Sequence, residues 1–227
     1  MKFEAVIFDL DGTLLDTLAD LADSMNAALR QLGYPEHAPD KYRYFVGDGM
    51  RNLARRVLPA GGQDENLVET VVKAMTTEYE QGWDVKTKPY SGMEETLDQL
   101  AAAGLKLAVL SNKPDPFTKK MVAALLPRWQ FQPVLGARPD APLKPDPAVA
   151  LEIARTLKID PARVLYVGDT ATDMRTANAA GMFAVGAAWG FRTVEELEQS
   201  GARRIVHRPA EILELLEDVA NTRIIRR

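Results

Sequence analysis

The 227-residue sequence predicts an α/β fold, an open parallel sheet of Rossmann-like type with an all-helical segment inserted after its first strand. Three observations support this. Short apolar runs recur along the chain, amphipathic helical patterns separate them, and one long stretch has helical spacing with no convincing strand.

The first run, FEAVIF at residues 3–8, ends in unbroken apolar residues, as suits a strand buried on both faces. Comparable runs are LKLAVL (105–110), RVLYV (163–167), MFAVG (182–186) and RIV (204–206). Between them, residues 92–103 place Met93, Thr96, Leu97, Leu100 and Ala101 on one helical face. Residues 147–157 do the same with Ala150, Leu151, Ala154 and Leu157. Strand then helix, repeated, implies a parallel sheet. The exception lies between Asp16 and Lys88. There Leu18, Leu21, Ala22, Met25, Leu29 and Leu32 form an apolar stripe ended by Gly33. A second helix is expected near Gly49, and a third from Asp64 towards Gly82. A crossover between parallel strands needs only about a dozen residues. The surplus, residues 16–88, is therefore expected to be a helical lid over the first strand's end, leaving 1–15 and 89–227 as the sheet core.

Composition narrows the partners. With 28 basic and 32 acidic side chains the net charge is −4, which argues against a nucleic-acid surface. The absence of cysteine excludes disulfides and thiolate metal sites and suits a reducing cytosol. The opening MKFEAVIFDLD does not read as a signal peptide, and no stretch approaches the roughly 18 apolar residues of a membrane span. A cytoplasmic protein with no membrane partner is expected; monomer and homodimer both stay open.

In open α/β sheets, ligands bind beyond the carboxyl ends of the strands. Strand one ends in Asp9-Leu10-Asp11-Gly12-Thr13, the 105–110 strand in Ser111-Asn112-Lys113, and the 163–167 strand in Gly168-Asp169-Thr170, with Asp173 beyond. Lys144 lies in a Pro-rich loop before the helix at 147. Asp9, Asp11, Asp169 and Asp173 would bring four negative charges against the one positive charge of Lys144, so a cation is needed to keep them ionised. Oxygen-only donors favour a hard ion such as Mg2+. A phosphoryl group would meet that ion, Lys144, the Ser111 hydroxyl and backbone N–H groups.

DLDGTL, SN after an apolar strand, the lysine of KPDP, and GDTATD resemble, in order, the four signature motifs of the haloacid dehalogenase-like phosphatases. FVGDGMRNL, PYSGMEETLDQL, LAVLSNKP and YVGDTATDMRTANAAGM are similar to the phosphoglycolate phosphatase group within them. The resemblance spans nearly the whole chain and implies an aspartyl-phosphate mechanism. In it Asp9 is the nucleophile and Asp11 the acid and base. Mg2+ sits on Asp9, the Asp11 carbonyl and Asp169, with Asp173 helping. Ser111 and Lys144 hold the phosphoryl oxygens, and Gly12, Thr13 and Asn112 support the phosphate site. An acid at position 11 departs from the dehalogenase branch, which removes carbon–halogen cleavage.

Some residues also have plainer readings. Asp173 is well placed to cap its helix. Arg51, Arg55 and Arg56 are either a solvated helix face or, for Arg51 above all, binders of a substrate carboxylate. Asp48 stands where the phosphoglycolate group often has asparagine, which adds a negative charge to the lid loop. The function expected is Mg2+-dependent hydrolysis of a small phosphorylated metabolite, 2-phosphoglycolate foremost. The alternatives are a phosphomutase of the β-phosphoglucomutase type, or a phosphatase for a nucleotide, sugar phosphate or pyrophosphate. A non-catalytic phosphate-binding protein fits less well, because Asp9 and Asp11 are both present.

Overall fold

The structure is a computed structural model that describes residues 2–59 and 64–221. Strand β1 (Ala5–Phe8) leads to a two-residue strand β2 (Leu15–Asp16) and then to helices α1 (Leu18–Gln31), α2 (Tyr42–Phe45), α3 (Met50–Val57) and α4 (Glu65–Gly82). The chain returns through β3 (Lys88–Pro89) to α5 (Met93–Ala102), β4 (Lys106–Pro114), α6 (Asp115–Leu125), β5 (Phe131–Ala137) and α7 (Ala148–Leu157). It finishes with β6 (Val164–Gly168), α8 (Ala171–Ala179), β7 (Phe183–Ala187), α9 (Val194–Gln199), β8 (Arg204–Val206) and α10 (Glu211–Asn221). Among the described residues no helix is long and apolar enough to cross a membrane.

The main sheet has the order β5-β4-β1-β6-β7-β8, with every pair parallel. Chain direction across the sheet reverses at β1, between β4 and β6, and the crevice beyond those carboxyl ends is the expected ligand position. β1 is apolar throughout because both of its faces are covered. Val6 and Phe8 join a core that continues into the lid through Leu21, Met25, Val71 and Met75. Ala5 and Ile7 join a second core with Ile153, Met174 and Ala177 of α7 and α8.

Two strands differ from expectation. β4 runs on to Pro114, so Ser111, Asn112 and Lys113 lie within the strand rather than after it, where its register against β5 shifts. β5 is not marked by any apolar run in the sequence. Pro133 interrupts it, and proline lacks the N–H that a central strand must donate. At the sheet edge that loss is tolerated.

The lid helices follow the expected stripe. Leu21, Ala22, Met25 and Leu29 of α1 are buried, as are Val68, Val71, Met75 and Tyr79 of α4. The Asp64 carboxylate caps α4, accepting from the Asn66 N–H at 2.9 Å. Where the chain leaves and rejoins the sheet, its two crossings are fastened together. β2 and β3 pair antiparallel, Leu15 opposite Pro89 and Asp16 opposite Lys88. One turn into α1, buried Asp20 accepts from the N–H groups of Lys86 (2.9 Å) and Thr87 (2.8 Å) and from the Thr87 hydroxyl (2.8 Å). A buried carboxylate in a helix is costly unless so satisfied.

Candidate active site

The loop after β1 is tight because the Leu10 carbonyl accepts from the N–H groups of both Leu14 (3.1 Å) and Leu15 (3.0 Å). Gly12 takes φ +85°, and a Cβ there would stand 2.8 Å from the Asp169 carboxyl carbon. Glycine is required twice over, by the backbone turn and by the close approach. Asp9 extends β1 by donating its N–H to the Val167 carbonyl at 2.9 Å, which sets it beside the end of β6.

Asp9, Asp169 and Asp173 are all buried, and each can present a carboxylate oxygen within 4.8 Å of the others. The Lys144 ammonium lies between two of them, 2.9 Å from Asp9 Oδ1 and 2.7 Å from Asp173 Oδ1. Asn112 fixes the lysine loop, its Oδ1 accepting from the Lys144 N–H (2.9 Å) and its amide donating to the Lys144 carbonyl (3.1 Å). Asp169 is held by the Thr13 hydroxyl (2.8 Å) and the Phe191 N–H (2.8 Å). Asp173 does cap its helix: its Oδ2 accepts from the Thr170 N–H (3.1 Å) and hydroxyl (2.6 Å). The Ser111 hydroxyl accepts from the Lys113 N–H at 3.1 Å.

Burial, then the charges of Asp173 and Asp169, push the Asp9 carboxyl well above its ordinary range, against the pull of Lys144. Burial and Asp173 push Asp169 up to about 7, although the Phe191 N–H and Thr13 hydroxyl oppose them. Burial works against the charge on Lys144, but Asp173 and Asp9 outweigh it and hold its pKa well above the ordinary value. The carboxylates are thus short of positive charge, with only oxygen donors on offer. Such a set fits a hard divalent cation.

The charge balance differs from the one read in the sequence. Lys113, buried, pairs with Asp11 at 3.0 Å and supplies a second cation that the spacing alone did not assign. The available signal was its place directly after Ser111-Asn112. Arg51 is corrected in the other direction. Its side chain is 53% exposed and pairs with Glu65 and Glu69, each at 2.7 Å, so it braces the outside of the lid instead of lining the crevice. Arg55 pairs with Glu65 at 2.7 Å. Arg56 pairs with Asp48, whose other oxygen accepts from the Thr172 hydroxyl at 2.7 Å. Burial pushes the Asp48 carboxyl up, but Arg56 and Thr172 hold it below its ordinary value. The negative charge of Asp48 is therefore matched locally and ties the lid to α8.

The lid closes over the crevice. A cavity of about 30 Å3 remains beside Asp9 and Asp11, walled by Leu21, Val46, Met50 and Leu53 of the lid. On the far side the loop after β7 presses in through Gly190. A Cβ on Gly190 would run into the Asp169 Cβ and stand 2.5 Å from the Gly12 carbonyl oxygen. Gly190→Ala is expected to cost roughly 2–3 kcal/mol as overpacking and to displace Asp169. Thermal unfolding and Mg2+ titration of the variant check both effects; a melting point equal to the parent's would show that the loop yields freely.

Residues 6–187 match the sequence pattern of the haloacid dehalogenase-like hydrolases. A phosphoglycolate phosphatase from Psychrobacter arcticus is 33% identical over 88% of this chain and 89% of its own length. One from Aquifex aeolicus is 32% identical over 94% of this chain and 96% of its own. Among solved structures, a protein from Lactobacillus delbrueckii, provisionally assigned as a phosphoglycolate phosphatase, superposes with a TM-score of 0.89 at 29% identity. It covers 95% of this chain and 99% of its own. A six-stranded parallel sheet, an acidic crevice at its switch point and a match of this extent agree: the chain belongs to the haloacid dehalogenase-like hydrolase family.

Proposed function

We propose that the chain is a Mg2+-dependent phosphatase that hydrolyses a small phosphomonoester through an aspartyl-phosphate on Asp9, with 2-phosphoglycolate its first candidate substrate. The observation that supports this most is the meeting of Asp9, Asp169 and Asp173 with Lys144 beneath a closed lid. Asp9, Asp169 and the Asp11 carbonyl would hold the ion, Asp173 assisting through water, and when bound it supplies positive charge against the phosphoryl oxygens.

The protein's own groups account for the bond changes. Asp9 Oδ1 is held by the Leu10 N–H (2.7 Å) and by Lys144, while Oδ2 has no hydrogen bond among the described residues. Oδ2 attacks phosphorus, the ester P–O bond breaks, and Asp11 gives its proton to the departing alkoxide. A water then attacks the phosphorus of the aspartyl-phosphate. Asp11 takes the water's proton, and phosphate leaves with the Asp9 carboxylate restored. Ser111 and Lys144 hold the phosphoryl oxygens; Gly12, Thr13 and Asn112 keep the loops in place around them.

Residues 16–88 act as the lid on a catalytic body made of 1–15 and 89–227. Lid residues stand directly over Asp9 and Asp11, which favours a small substrate, and the names of the relatives favour 2-phosphoglycolate. Phosphate release from an ester panel, including p-nitrophenyl phosphate and 2-phosphoglycolate, with Mg2+ or with EDTA, tests the reading. Silence across the panel with Mg2+ present would end it.

The ion also links pH to stability. The pKa of Asp169 is about 7 in the folded, metal-free protein against an ordinary 3.8. The folded state then binds more protons than the unfolded one between those values, so stability falls as pH rises through that window. In EDTA the melting point is expected to drop by roughly 5 °C from pH 5 to pH 8. Mg2+ is expected to recover much more at pH 8 than at pH 5. Calorimetry at both pH values decides it, and a Mg2+ gain independent of pH would remove these carboxylates from the ligand set.

A further inference from the structure

We propose that Lys113 is a positioning residue for the Asp11 carboxyl group, and that Tyr79 of the lid secures Lys113 when the lid is down. This rests on the phosphatase reading above, in which Asp11 handles the leaving-group proton. The Lys113 ammonium lies 3.0 and 3.3 Å from the two Asp11 carboxylate oxygens and 3.0 Å from the Tyr79 hydroxyl. It also sits 4.5 Å from the centre of the Tyr79 ring. Lys113 and Tyr79 are both buried, one on β4 and the other on α4.

The other acids of the crevice have several anchors each. Asp9 has the Leu10 N–H and Lys144; Asp169 has Thr13 and Phe191; Asp173 has Thr170 and Lys144. Among the described residues, the Asp11 carboxylate has no hydrogen-bond partner besides Lys113. Its orientation therefore depends on where that ammonium sits. Asp11 on one side and the Tyr79 hydroxyl on the other fix this position, since an ammonium directs three separate donors. Burial works against the charge on Lys113, but Asp11 and Tyr79 outweigh it, so the ammonium stays charged. A buried lysine at the end of a strand contributes nothing to the sheet that a methionine would not, which points to its charge as the reason for it. Tyr79 also packs against Phe117 of α6 at 5.4 Å between ring centres, so it is a point where the lid grips the body.

The test uses the leaving group. An alkoxide needs a proton as it departs, whereas p-nitrophenolate leaves readily without one. The ratio kcat/KM reports the steps up to the first irreversible one, so it isolates phosphoryl transfer to Asp9. It is measured for p-nitrophenyl phosphate and for 2-phosphoglycolate, or for glycerol 2-phosphate if 2-phosphoglycolate is not turned over. Lys113→Met is expected to lose roughly 100-fold on the alkyl ester, as misplaced catalytic groups do, and at least about tenfold less on the aryl ester. Tyr79→Phe, which keeps the ring packing, is expected to shift the ratio the same way by about three- to tenfold, as one hydrogen bond would. If Lys113→Met does not fold, Tyr79→Phe decides alone. Equal losses on the two esters, or none, overturn the positioning role while leaving the phosphatase reading intact. A parent protein inactive on every ester with Mg2+ would instead remove the phosphatase reading itself.

Discussion

Asp9→Asn is expected to lower turnover by roughly 10⁴-fold or more, as removal of a covalent nucleophile does, while the fold stays intact. The asparagine amide matches the carboxylate in shape but does not attack phosphorus. Its effect on stability should be opposite in sign to its effect on activity. In the metal-free protein Asp9 is buried beside Asp173 and Asp169, which push its carboxyl well up, so a neutral side chain relieves repulsion. The melting point in EDTA should therefore equal or exceed that of the parent, and added Mg2+ should raise it less. Phosphate release and thermal unfolding measured on one preparation check both halves. Activity within tenfold of the parent would exclude Asp9 as the attacking group.

The largest expected loss of stability comes from Lys144→Met. Its ammonium is buried between Asp9 and Asp173 and also donates to the Leu110 carbonyl at 3.2 Å. Methionine preserves most of the volume and removes the charge, leaving two buried carboxylates facing each other. Breaking a buried pair in this way typically costs about 3–5 kcal/mol. The loss should be greatest in EDTA at pH 8 and smaller at pH 5, because burial and the neighbouring carboxylates raise the Asp9 pKa and so favour its protonation as pH falls. Mg2+ should return part of the stability but little of the activity, because the phosphoryl oxygens have also lost a ligand. Urea unfolding at the two pH values reads the effect. A cost below about 1 kcal/mol in EDTA at pH 8 would place these ions in better contact with water than their burial indicates.

The crevice was legible because its acids stand where apolar runs stop, and parallel strands bring such stops to one rim. The lid was legible because its stripe keeps a helical period from Leu18 to Leu32. What stayed hidden depends on contacts distant in sequence. Pro133 disguised an edge strand, since proline reads as a break until its neighbour is known. Lys113 and Tyr79 are 34 residues apart, and nothing local to either announces the other. Arg51 reads as free to bind an anion because its partners, Glu65 and Glu69, lie on the following helix. Asp48 reads as an added negative charge in the lid loop, because neither Arg56 nor Thr172 is marked by the sequence as its partner. Asp20 shows the same difficulty, an acid within an apolar stripe whose partners, Lys86 and Thr87, are supplied from the far end of the lid.

The β2–β3 pair and the Asp20 clasp have a consequence for how this architecture can be altered. Outgoing and incoming chain are bonded neighbours, so whatever is threaded between them is held by a socket built where the two ends of the lid meet the sheet. Trading the intervening helices for a different module should leave the socket, and the chemistry below it, in register. Substrate choice can then change by exchange of a cassette while the reaction is conserved.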